Sequence, residues 1–536
     1  MDKKIIFLIL IVSASFLFHF YFQAPYFNYN DAAIYAGVAK NIKEGQGLST
    51  NFIYPEYFRY IGQLTQNKWY SYWPPLHSLF LAIGFFLFGT SDRAVMYVTG
   101  LFFLLSVWLV YLLARKIFNK EVAIFSCLFY SLTQEMLWYS TSGLSEPLFI
   151  CLLLLCLFFL YDTKKKITIF CAGLSLGLAV MTRNTALIYI PALVFFIYFS
   201  QTKGRRAKSI FSFLAGISLV IFSFHKMIVP LLGGYCSFKD MFWSPFFFNT
   251  EVYPGGQIMR ALDKIDFSFT VKNLAFIFKK IFPNLKIFFR NLSYFNAQFN
   301  TWNWIYTLMP PFLGIFYILS LFKPPSQKNQ RLIHVAVIFL FLTVLVVSLL
   351  TITKPEMKYF HPLVPFLIIF AVSGLIRVFN RLALDPYRRR VYLNFLVAVL
   401  IAIFLLPQTA KNYFYNREKY KNNPKGVYQI MGDVVREYTK PHDVVVTNLD
   451  AWGSWYGERK TVYYPSKPTN LSKLSDYAKI DALLIFENLF VDEPGWLNWL
   501  DLITNPKDFD DFKFIKIIKV PLNKKETIKV ALYRKK

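Results

Sequence analysis

Two acidic residues stand at the starts of predicted helices, where a carboxylate can act as a general base. Asp31 opens a stretch from Ala32 to Lys43 in which apolar residues recur every fourth position, as on one face of a helix. Glu146 precedes Pro147, and proline is common in the first turn of a helix. Because acids complement the helix dipole at such positions, a capping role stays the alternative to chemistry for both residues.

Arg183 is the cation with the most unusual surroundings. It lies between two apolar stretches, Gly173 to Met181 and Ala186 to Ile197. An arginine beside lipid is costly unless it reaches the headgroups, faces water or is paired with an anion. Three interpretations therefore stay open: an anchor at the headgroups, a ligand for an anion such as a phosphate, or the partner of a carboxylate.

A second group of candidates lies in one short polar segment, where Lys354 and Lys358 are followed by Tyr359 and His361. A bound phosphate would give these lysines a function on a side of the membrane where short loops carry few cations. Arg59, in the first long polar segment, is a further candidate for binding a charged substrate.

The composition indicates what kind of scaffold positions these residues. The chain has 536 residues, of which 55% are hydrophobic and 17% charged, and its mean hydropathy is +0.39. These values are typical of a polytopic helical membrane protein rather than a soluble one. The formal net charge of +28 lies mostly in short loops, so it indicates membrane topology and contact with anionic lipids, not nucleic-acid binding.

Eleven apolar runs are candidates for membrane-spanning helices, which need about 20 residues each. We predict a cytoplasmic N-terminus and an extracytoplasmic C-terminus. The predicted spans are residues 5–22, 94–114, 121–141, 146–161, 167–182, 184–200, 209–232, 304–322, 332–352, 362–379 and 391–408.

The orientation follows from the charges of the short loops, because basic loops stay on the cytoplasmic side. The loops on the opposite side hold only Arg183, Lys354 and Lys358. The loops predicted to be cytoplasmic hold twenty basic residues: Lys3, Lys4, Arg115, Lys116, Lys120, Lys164, Lys165, Lys166, Lys203, Arg205, Arg206, Lys208, Lys323, Lys328, Arg331, Arg377, Arg381, Arg388, Arg389 and Arg390.

Three long segments are then predicted to be extracytoplasmic. Residues 23–93 and 233–303 form two outer loops of a membrane domain that spans residues 1–408. The run Leu76 to Phe88 would reverse all later loops if it crossed the membrane, so we predict a helix lying at the outer interface. Residues 409–536 are predicted to form a small α/β domain. Its helix is Gly426 to Lys440, and its strands are Asp443 to Asn448, Lys460 to Tyr464, Asp481 to Phe486, Phe512 to Val520 and Glu526 to Tyr533.

Six short stretches, in this order, resemble the polyprenyl-phosphate-dependent glycosyltransferases of the GT-C fold. That group includes family 39 members, aminoarabinose transferases of lipid A and protein O-mannosyltransferases. The resemblance covers roughly residues 1 to 378. The stretches are Asn30 to Tyr35, Trp73 to Leu76, Leu87 to Gly89, Ser145 to Leu148, Gly177 to Arg183 and Lys358 to Pro362.

The resemblance implies a role for several of the candidates. Asp31 matches the catalytic acid of the first outer loop, and Glu146 matches an acid at the start of a later helix. Arg183, Lys354 and Lys358 match cations that hold the lipid-linked phosphate. Two positions depart from the family. Trp73 stands where the aminoarabinose branch has a lysine, and Ala32 follows Asp31 where the protein mannosyltransferases have a second acid.

The expected fold is therefore an α-helical polytopic GT-C membrane protein with about eleven transmembrane helices and a C-terminal extracytoplasmic α/β domain. The expected activity is inverting transfer of a sugar from a polyprenyl phosphate to an acceptor hydroxyl, on the outer face of a bacterial inner membrane, with Asp31 as base. The sugar, the acceptor (glycolipid, polysaccharide or protein) and any divalent metal stay open. A transporter or lipid flippase and an inactive assembly subunit are the alternatives.

Overall fold

The computed structural model describes residues 3–536, except 23–24, 27–28, 61–68, 72, 162–165, 235–259, 261–270, 293–307, 323–324, 326, 352–356, 382–384, 406–409, 411–412, 415–424, 488, 490–495 and 523–525. The chain forms two compact units. The first comprises Met1–Ala24, Met96–Lys226 and Lys280–Arg417; the second comprises Pro25–Val95, Met227–Lys279 and Glu418–Lys536.

The first unit is built from apolar helices. Two long helices, Asp92–Ile117 and Val271–Leu292, begin in the second unit and continue into the first. The other helices of the first unit are Lys3–Phe22, Lys120–Leu132, Gln134–Tyr139, Glu146–Tyr161, Lys166–Thr182, Ile190–Ser200, Lys203–Ser223, Pro311–Phe322, Lys328–Thr351, Val364–Phe379 and Pro386–Leu400.

Among the described residues, four helices are long and apolar enough to cross a membrane: Asp92–Ile117, Lys203–Leu231, Lys328–Leu349 and His361–Phe379. The predicted total of eleven spans stays a prediction, because several other apolar helices are shorter. These are Ile11–Tyr21, Pro75–Phe88, Glu146–Tyr161, Lys166–Thr182, Asn184–Ser200 and Phe312–Phe322.

Two neighbouring helices of the first unit pack through glycines. A Cβ atom added to Gly173 would lie 2.1 Å from the carbonyl oxygen of Phe213, and one added to Gly216 would lie 2.5 Å from that of Phe170. Small residues let helix backbones approach closely where lipid provides no hydrophobic driving force. These glycines therefore fix the contact between Lys166–Thr182 and Lys203–Ser223.

The predicted break at Arg183 is a change of backbone conformation. Arg183 itself is extended, with φ −151° and ψ 124°. The helix Lys166–Thr182 ends just before it, and a 3₁₀ turn, Asn184–Tyr189, leads into the helix Ile190–Ser200. The structure thus has two helices separated at an extended arginine, where the sequence analysis places the boundary between the predicted spans 167–182 and 184–200.

The second unit contains a six-stranded sheet. The strands are β1 Phe52–Ile53, β2 Val444–Thr447, β3 Lys460–Tyr463, β4 Ala482–Phe486, β5 Phe512–Pro521 and β6 Thr527–Lys535. Their order is β1-β3-β2-β4-β6-β5. The pairs among β1, β3, β2 and β4 are parallel, and β6 pairs antiparallel with both β4 and β5. The unit's helices are Asn30–Lys43, Tyr57–Tyr60, Pro75–Phe88, Val229–Leu231, Val427–Tyr438, Trp452–Trp455, Leu471–Ser475 and Trp496–Thr504.

The strand sequences explain their places in the sheet. All four residues of β2 and all five of β4 are buried, as expected for central parallel strands covered on both faces. The edge strand β5 carries Lys513, Lys516 and Lys519, and such charges discourage pairing with another chain. The five strands predicted from the sequence coincide with β2 to β6, whereas β1, from the first outer loop, was not predicted.

Candidate functional site

Asp31 lies in the first turn of the helix Asn30–Lys43 and is partly buried. The side chain of Asn30 holds this turn, because its Oδ1 accepts a hydrogen bond from the Asp31 backbone N–H at 2.9 Å. Asp31 is thus a carboxylate at the positive end of a helix dipole, where a negative charge is favourable. The structure confirms the predicted helix and places Asp31 at its start.

A second carboxyl group, Asp450, belongs to the same site. Asp450 is only 4% exposed. Its Oδ2 accepts a hydrogen bond from Asn30 Nδ2 at 3.0 Å, and Tyr54 Oη donates to the same carboxyl at 3.1 Å. The backbone N–H of Ala451 donates to its Oδ1 at 2.7 Å. All three of these donors are neutral groups.

The topology of the sheet explains why Tyr54 and Asp450 meet. Tyr54 follows β1 directly, and Asp450 follows β2 after two residues. Both strands pair with β3 in parallel, so their carboxyl ends point to the same edge of the sheet. This edge is where parallel α/β sheets commonly bind ligands.

Burial gives the Asp450 carboxyl an unusual affinity for protons. Desolvation raises its pKa to about 7, the Asn30, Ala451 and Tyr54 donors oppose this, and the nearby Asp31 charge adds to it. Burial, together with the charge of Asp450, also raises the pKa of Tyr428 to about 12. The Tyr428 ring stacks on Trp452 with centroids 3.6 Å apart, so an aromatic pair flanks this carboxyl.

Trp73, one of the two departures from the family pattern, packs into an aromatic cluster of the second unit. Its ring meets Tyr35 edge to face at 5.4 Å between centroids. The other face of this cluster is His77, whose ring lies 4.9 Å from that of Tyr35. Where the aminoarabinose branch has a lysine, this chain therefore has an aromatic ring packed against Tyr35.

The first unit holds an ion pair that the sequence analysis left as an alternative. Arg183 Nη1 donates to Glu146 Oε1 and lies 3.4 Å from Ser145 Oγ. Both side chains are shielded, with exposures of 15% for Arg183 and 2% for Glu146. Of the three interpretations of Arg183, the structure supports a partner carboxylate.

The other candidates of the first unit lie close together in sequence. The buried His361 shares a hydrogen bond of 2.7 Å between its Nδ1 and Tyr139 Oη. Lys358 and Tyr359 lie in a 3₁₀ turn, Met357–Tyr359, and are partly buried, with Lys358 Nζ 5.4 Å from the Tyr359 ring centroid. Lys354 lies outside the described residues.

Arg59 lies in the short helix Tyr57–Tyr60, but its side chain is outside the described part of the chain. Within the described residues, no three His, Cys, Asp or Glu side chains form a group that could hold a metal ion. Dependence on a divalent metal therefore stays open, as in the sequence analysis.

Sequence reasoning missed Asp450. It predicted a strand from Asp443 to Asn448 and assigned no role to the residues that follow. A usable signal was present, because Asn448-Leu449-Asp450 puts polar side chains directly after a buried parallel strand. Without β1, however, nothing indicated that this strand end would meet the helix that carries Asp31.

Part of the chain is similar to known protein sequences. Residues 73–228 match the family of dolichyl-phosphate-mannose-protein mannosyltransferases. An uncharacterised protein of Aquifex aeolicus is 31% identical over 173 residues, which are 31% of this chain and 32% of that protein. The match thus spans about a third of that relative's length.

Solved structures share the fold over nearly the whole chain. ArnT from Cupriavidus metallidurans, bound to undecaprenyl phosphate, has a TM-score of 0.57 at 13% identity, covering 98% of both chains. The oligosaccharyltransferase AglB from Archaeoglobus fulgidus, in complex with an inhibitory peptide and a dolichol-phosphate, has a TM-score of 0.55 at 12% identity. That alignment covers 90% of this chain and 70% of AglB.

These matches confirm the resemblance to polyprenyl-phosphate-dependent glycosyltransferases of the GT-C fold. The fold and the apolar helices are those of a multi-pass membrane protein.

Proposed function

We propose that this protein transfers a sugar from a polyprenyl-phosphate donor to an acceptor hydroxyl, with inversion, on the outer face of a bacterial inner membrane. Asp31 is the general base that takes the proton of the attacking hydroxyl. The reaction breaks the bond between the anomeric carbon and the phosphate oxygen and forms a bond to the acceptor oxygen. The polyprenyl phosphate leaves with the electron pair of the broken bond.

The observation that carries this proposal is the Asp31 site. The carboxylate of a general base must lie within hydrogen-bond reach of the acceptor hydroxyl and must be held in one orientation. Asp31 is partly exposed, and its turn is fixed by Asn30, which in turn is bonded to Asp450. A neighbouring carboxylate strengthens a base, because like charge raises proton affinity.

The donor phosphate would be held by Arg183 and Lys358, with Lys354 and Arg59 as further candidates. The leaving phosphate gains charge as the glycosidic bond breaks, so cations aimed at it lower the barrier. We propose that Glu146 orients Arg183 for this task rather than acting on the acceptor, since it is buried and ion-paired. Tyr359 and His361 would complete the same binding region. Support comes from ArnT, solved with undecaprenyl phosphate, and AglB, solved with a dolichol-phosphate.

The orientation of the protein in the membrane is part of the proposal. The distribution of basic residues in short loops supports a cytoplasmic N-terminus and an extracytoplasmic second unit. The helix Pro75–Phe88 fits an interfacial position, since Phe86, Leu87 and Phe88 at its end are exposed apolar side chains.

The direct test uses purified full-length protein in lipid with polyprenyl-phosphate sugars as donors and lipid extracts of bacterial envelopes as acceptors. We expect release of polyprenyl phosphate and a new glycolipid or glycan with inverted anomeric configuration. A matched preparation of Asp31→Asn serves as the control. Donor transport across the bilayer without any release of polyprenyl phosphate would refute the proposal and favour a flippase.

A further inference from the structure

We propose that Asp450, in the turn that follows β2, is the positioning residue of the Asp31 base. It fixes the first turn of the helix that carries Asp31 and sets, through its own charge, how strongly Asp31 holds a proton. The inference rests on the proposed function for its kinetic consequences, but the coupling of the two carboxyl groups can be measured without any transfer activity.

The Asn30 side chain is the physical link between the two acids. Its Oδ1 accepts from the Asp31 backbone N–H, and its Nδ2 donates to Asp450 Oδ2. The opposite orientation of this amide would point its oxygen at a carboxylate and its NH₂ group at an N–H donor. The amide thus has one favourable orientation, and removing the Asp450 acceptor would release one end of it.

The backbone of Asp450 indicates that the side chain is held in place at a cost. Its φ of +56° lies in the left-handed region, which non-glycine residues adopt only occasionally. Two other described non-glycine residues share this conformation, Glu458 and Asp510, and both are exposed. Only Asp450 of the three is buried, and strained backbone of this kind clusters at functional sites.

The surroundings of Asp450 differ from those of a structural acid in the same unit. Asp443 forms an ion pair with Arg534, as buried acids usually do. The titratable groups that face Asp450 in the described residues are Asp31 of the Asn30–Lys43 helix, Tyr54 after β1 and Tyr428 of the Val427–Tyr438 helix. The two tyrosines are neutral phenols, so the charge that acts on Asp450 among these groups is that of Asp31.

The charge of Asp450 acts on Asp31 in a definite direction. When Asp450 is ionised, its charge raises the proton affinity of Asp31 and makes Asp31 a stronger base. When Asp450 is protonated, this effect is lost. Since the pKa of Asp450 is raised to about 7, transfer should increase as pH rises through neutrality.

The experiment compares wild type, Asp450→Asn, Asp31→Asn and the control Asp510→Asn as full-length proteins in detergent and in lipid. Asp450→Asn keeps the size of the side chain, and Asp510→Asn removes an acid from an exposed position with the same backbone conformation. We measure kcat and KM between pH 5.5 and 9, and the apparent Tm from pH 4 to 9.

For transfer, Asp450→Asn should lower kcat about tenfold, a part of the about 10²–10⁴-fold that a positioned base contributes. It should also lose the rise in kcat near neutral pH, with KM for the donor unchanged. Asp510→Asn should match wild type. An Asp450→Asn enzyme that keeps the wild-type pH profile overturns the proposal, even if its kcat is reduced, because a purely structural role would give that result.

The apparent Tm tests the carboxyl pair independently of transfer. A raised pKa means that the folded state binds the proton more tightly, so this stabilisation is complete below about pH 4 and is lost as pH rises through about 7. The apparent Tm of wild type should therefore fall between about pH 4 and about pH 7, compared with the apparent Tm of Asp450→Asn over the same range. In Asp31→Asn, the fall in apparent Tm should end at a lower pH, because removing the negative charge of Asp31 lowers the pKa of Asp450. If no preparation transfers sugar, the proposed function fails; coinciding Tm profiles of wild type, Asp450→Asn and Asp31→Asn would separately overturn the coupling.

Discussion

Each unit of the molecule contains a buried acid close to a second charged residue, and the two arrangements are opposite in kind. In the first unit, Glu146 contacts the cation Arg183, so the pair is close to neutral. In the second unit, Asp450 lies near another acid, Asp31, and is hydrogen-bonded only by neutral donors among the contacts described. One arrangement compensates charge, whereas the other concentrates it.

This difference matches two separate tasks of the proposed glycosyltransferase, which are to bind the donor phosphate and to accept a proton from the acceptor hydroxyl. An ion pair keeps a cation in place in an apolar region. Such a pair therefore suits Arg183, which is proposed to bind the donor phosphate. A concentrated pair raises proton affinity, which suits a base. The comparison therefore predicts that changes in the second unit affect catalysis, while changes in the first affect folding and donor binding.

The largest effect is expected for Asp31→Asn. The change keeps the size and the helix-start position of the side chain but removes the base, so kcat should fall about 10²–10⁴-fold while the protein still folds. Glu44→Gln, an exposed acid at the other end of the same helix, is the matched control. Both variants are assayed for release of polyprenyl phosphate. An Asp31→Asn enzyme with near-normal turnover would break the assignment of the second unit to catalysis.

The next effect is the loss of stability when the compensated pair is broken. Removing one partner of a buried ion pair leaves a buried charge and typically costs about 3–5 kcal/mol. We expect Glu146→Gln to lower the apparent Tm clearly, and Glu146→Gln with Arg183→Gln to recover part of the loss. A double-mutant cycle on the apparent Tm measures this coupling. Additive losses would show that the two side chains do not stabilise each other.

Donor affinity is expected to change by a smaller amount. Arg183→Gln and Lys358→Gln should each weaken binding of a polyprenyl-phosphate sugar by about 1.5–3 kcal/mol, the range for hydrogen bonds to charged groups. Arg183→Lys should rescue only in part, since a planar fork of donors is lost. Titration of the donor into purified variants measures the affinities, with Lys203→Gln as an exposed cationic control. Unchanged affinity in both Gln variants would make these cations anchors only.

The local patterns in the sequence were sufficient to predict the elements that carry the first candidates. Short runs rich in β-forming residues predicted β2 to β6, and the break at Arg183 follows from a charged residue between two apolar helices. Asp31 and Glu146 were recognisable because a helix start is a local feature. The ion pair of Glu146 and Arg183 was one of three alternatives, since it depends on how two helices pack.

What the sequence could not supply is long-range pairing. The strand β1 has only two residues and is formed because Phe52 and Ile53 pair with Thr461 and Val462, about four hundred residues away. This pairing brings Tyr54 to the end of β2 and gives Asp450 its place beside Asn30. No local periodicity in two residues can predict such an element.

The smallest predicted effect, that of Tyr54→Phe, tests this long-range contact. Tyr54 Oη donates to the Asp450 carboxyl, which favours the ionised form and lowers its pKa. Removing the hydroxyl should therefore raise the pKa of Asp450 further above about 7. The pH-dependent fall in apparent Tm should then extend to higher pH than in wild type, and the rise in kcat should move in the same direction.

Tyr477→Phe, whose ring stacks on Phe58 in the same unit, should leave both profiles where they are. A shift of the Tyr54→Phe profiles to lower pH would contradict a donor role for Tyr54 and, with it, the charge-concentrating site at the end of β2.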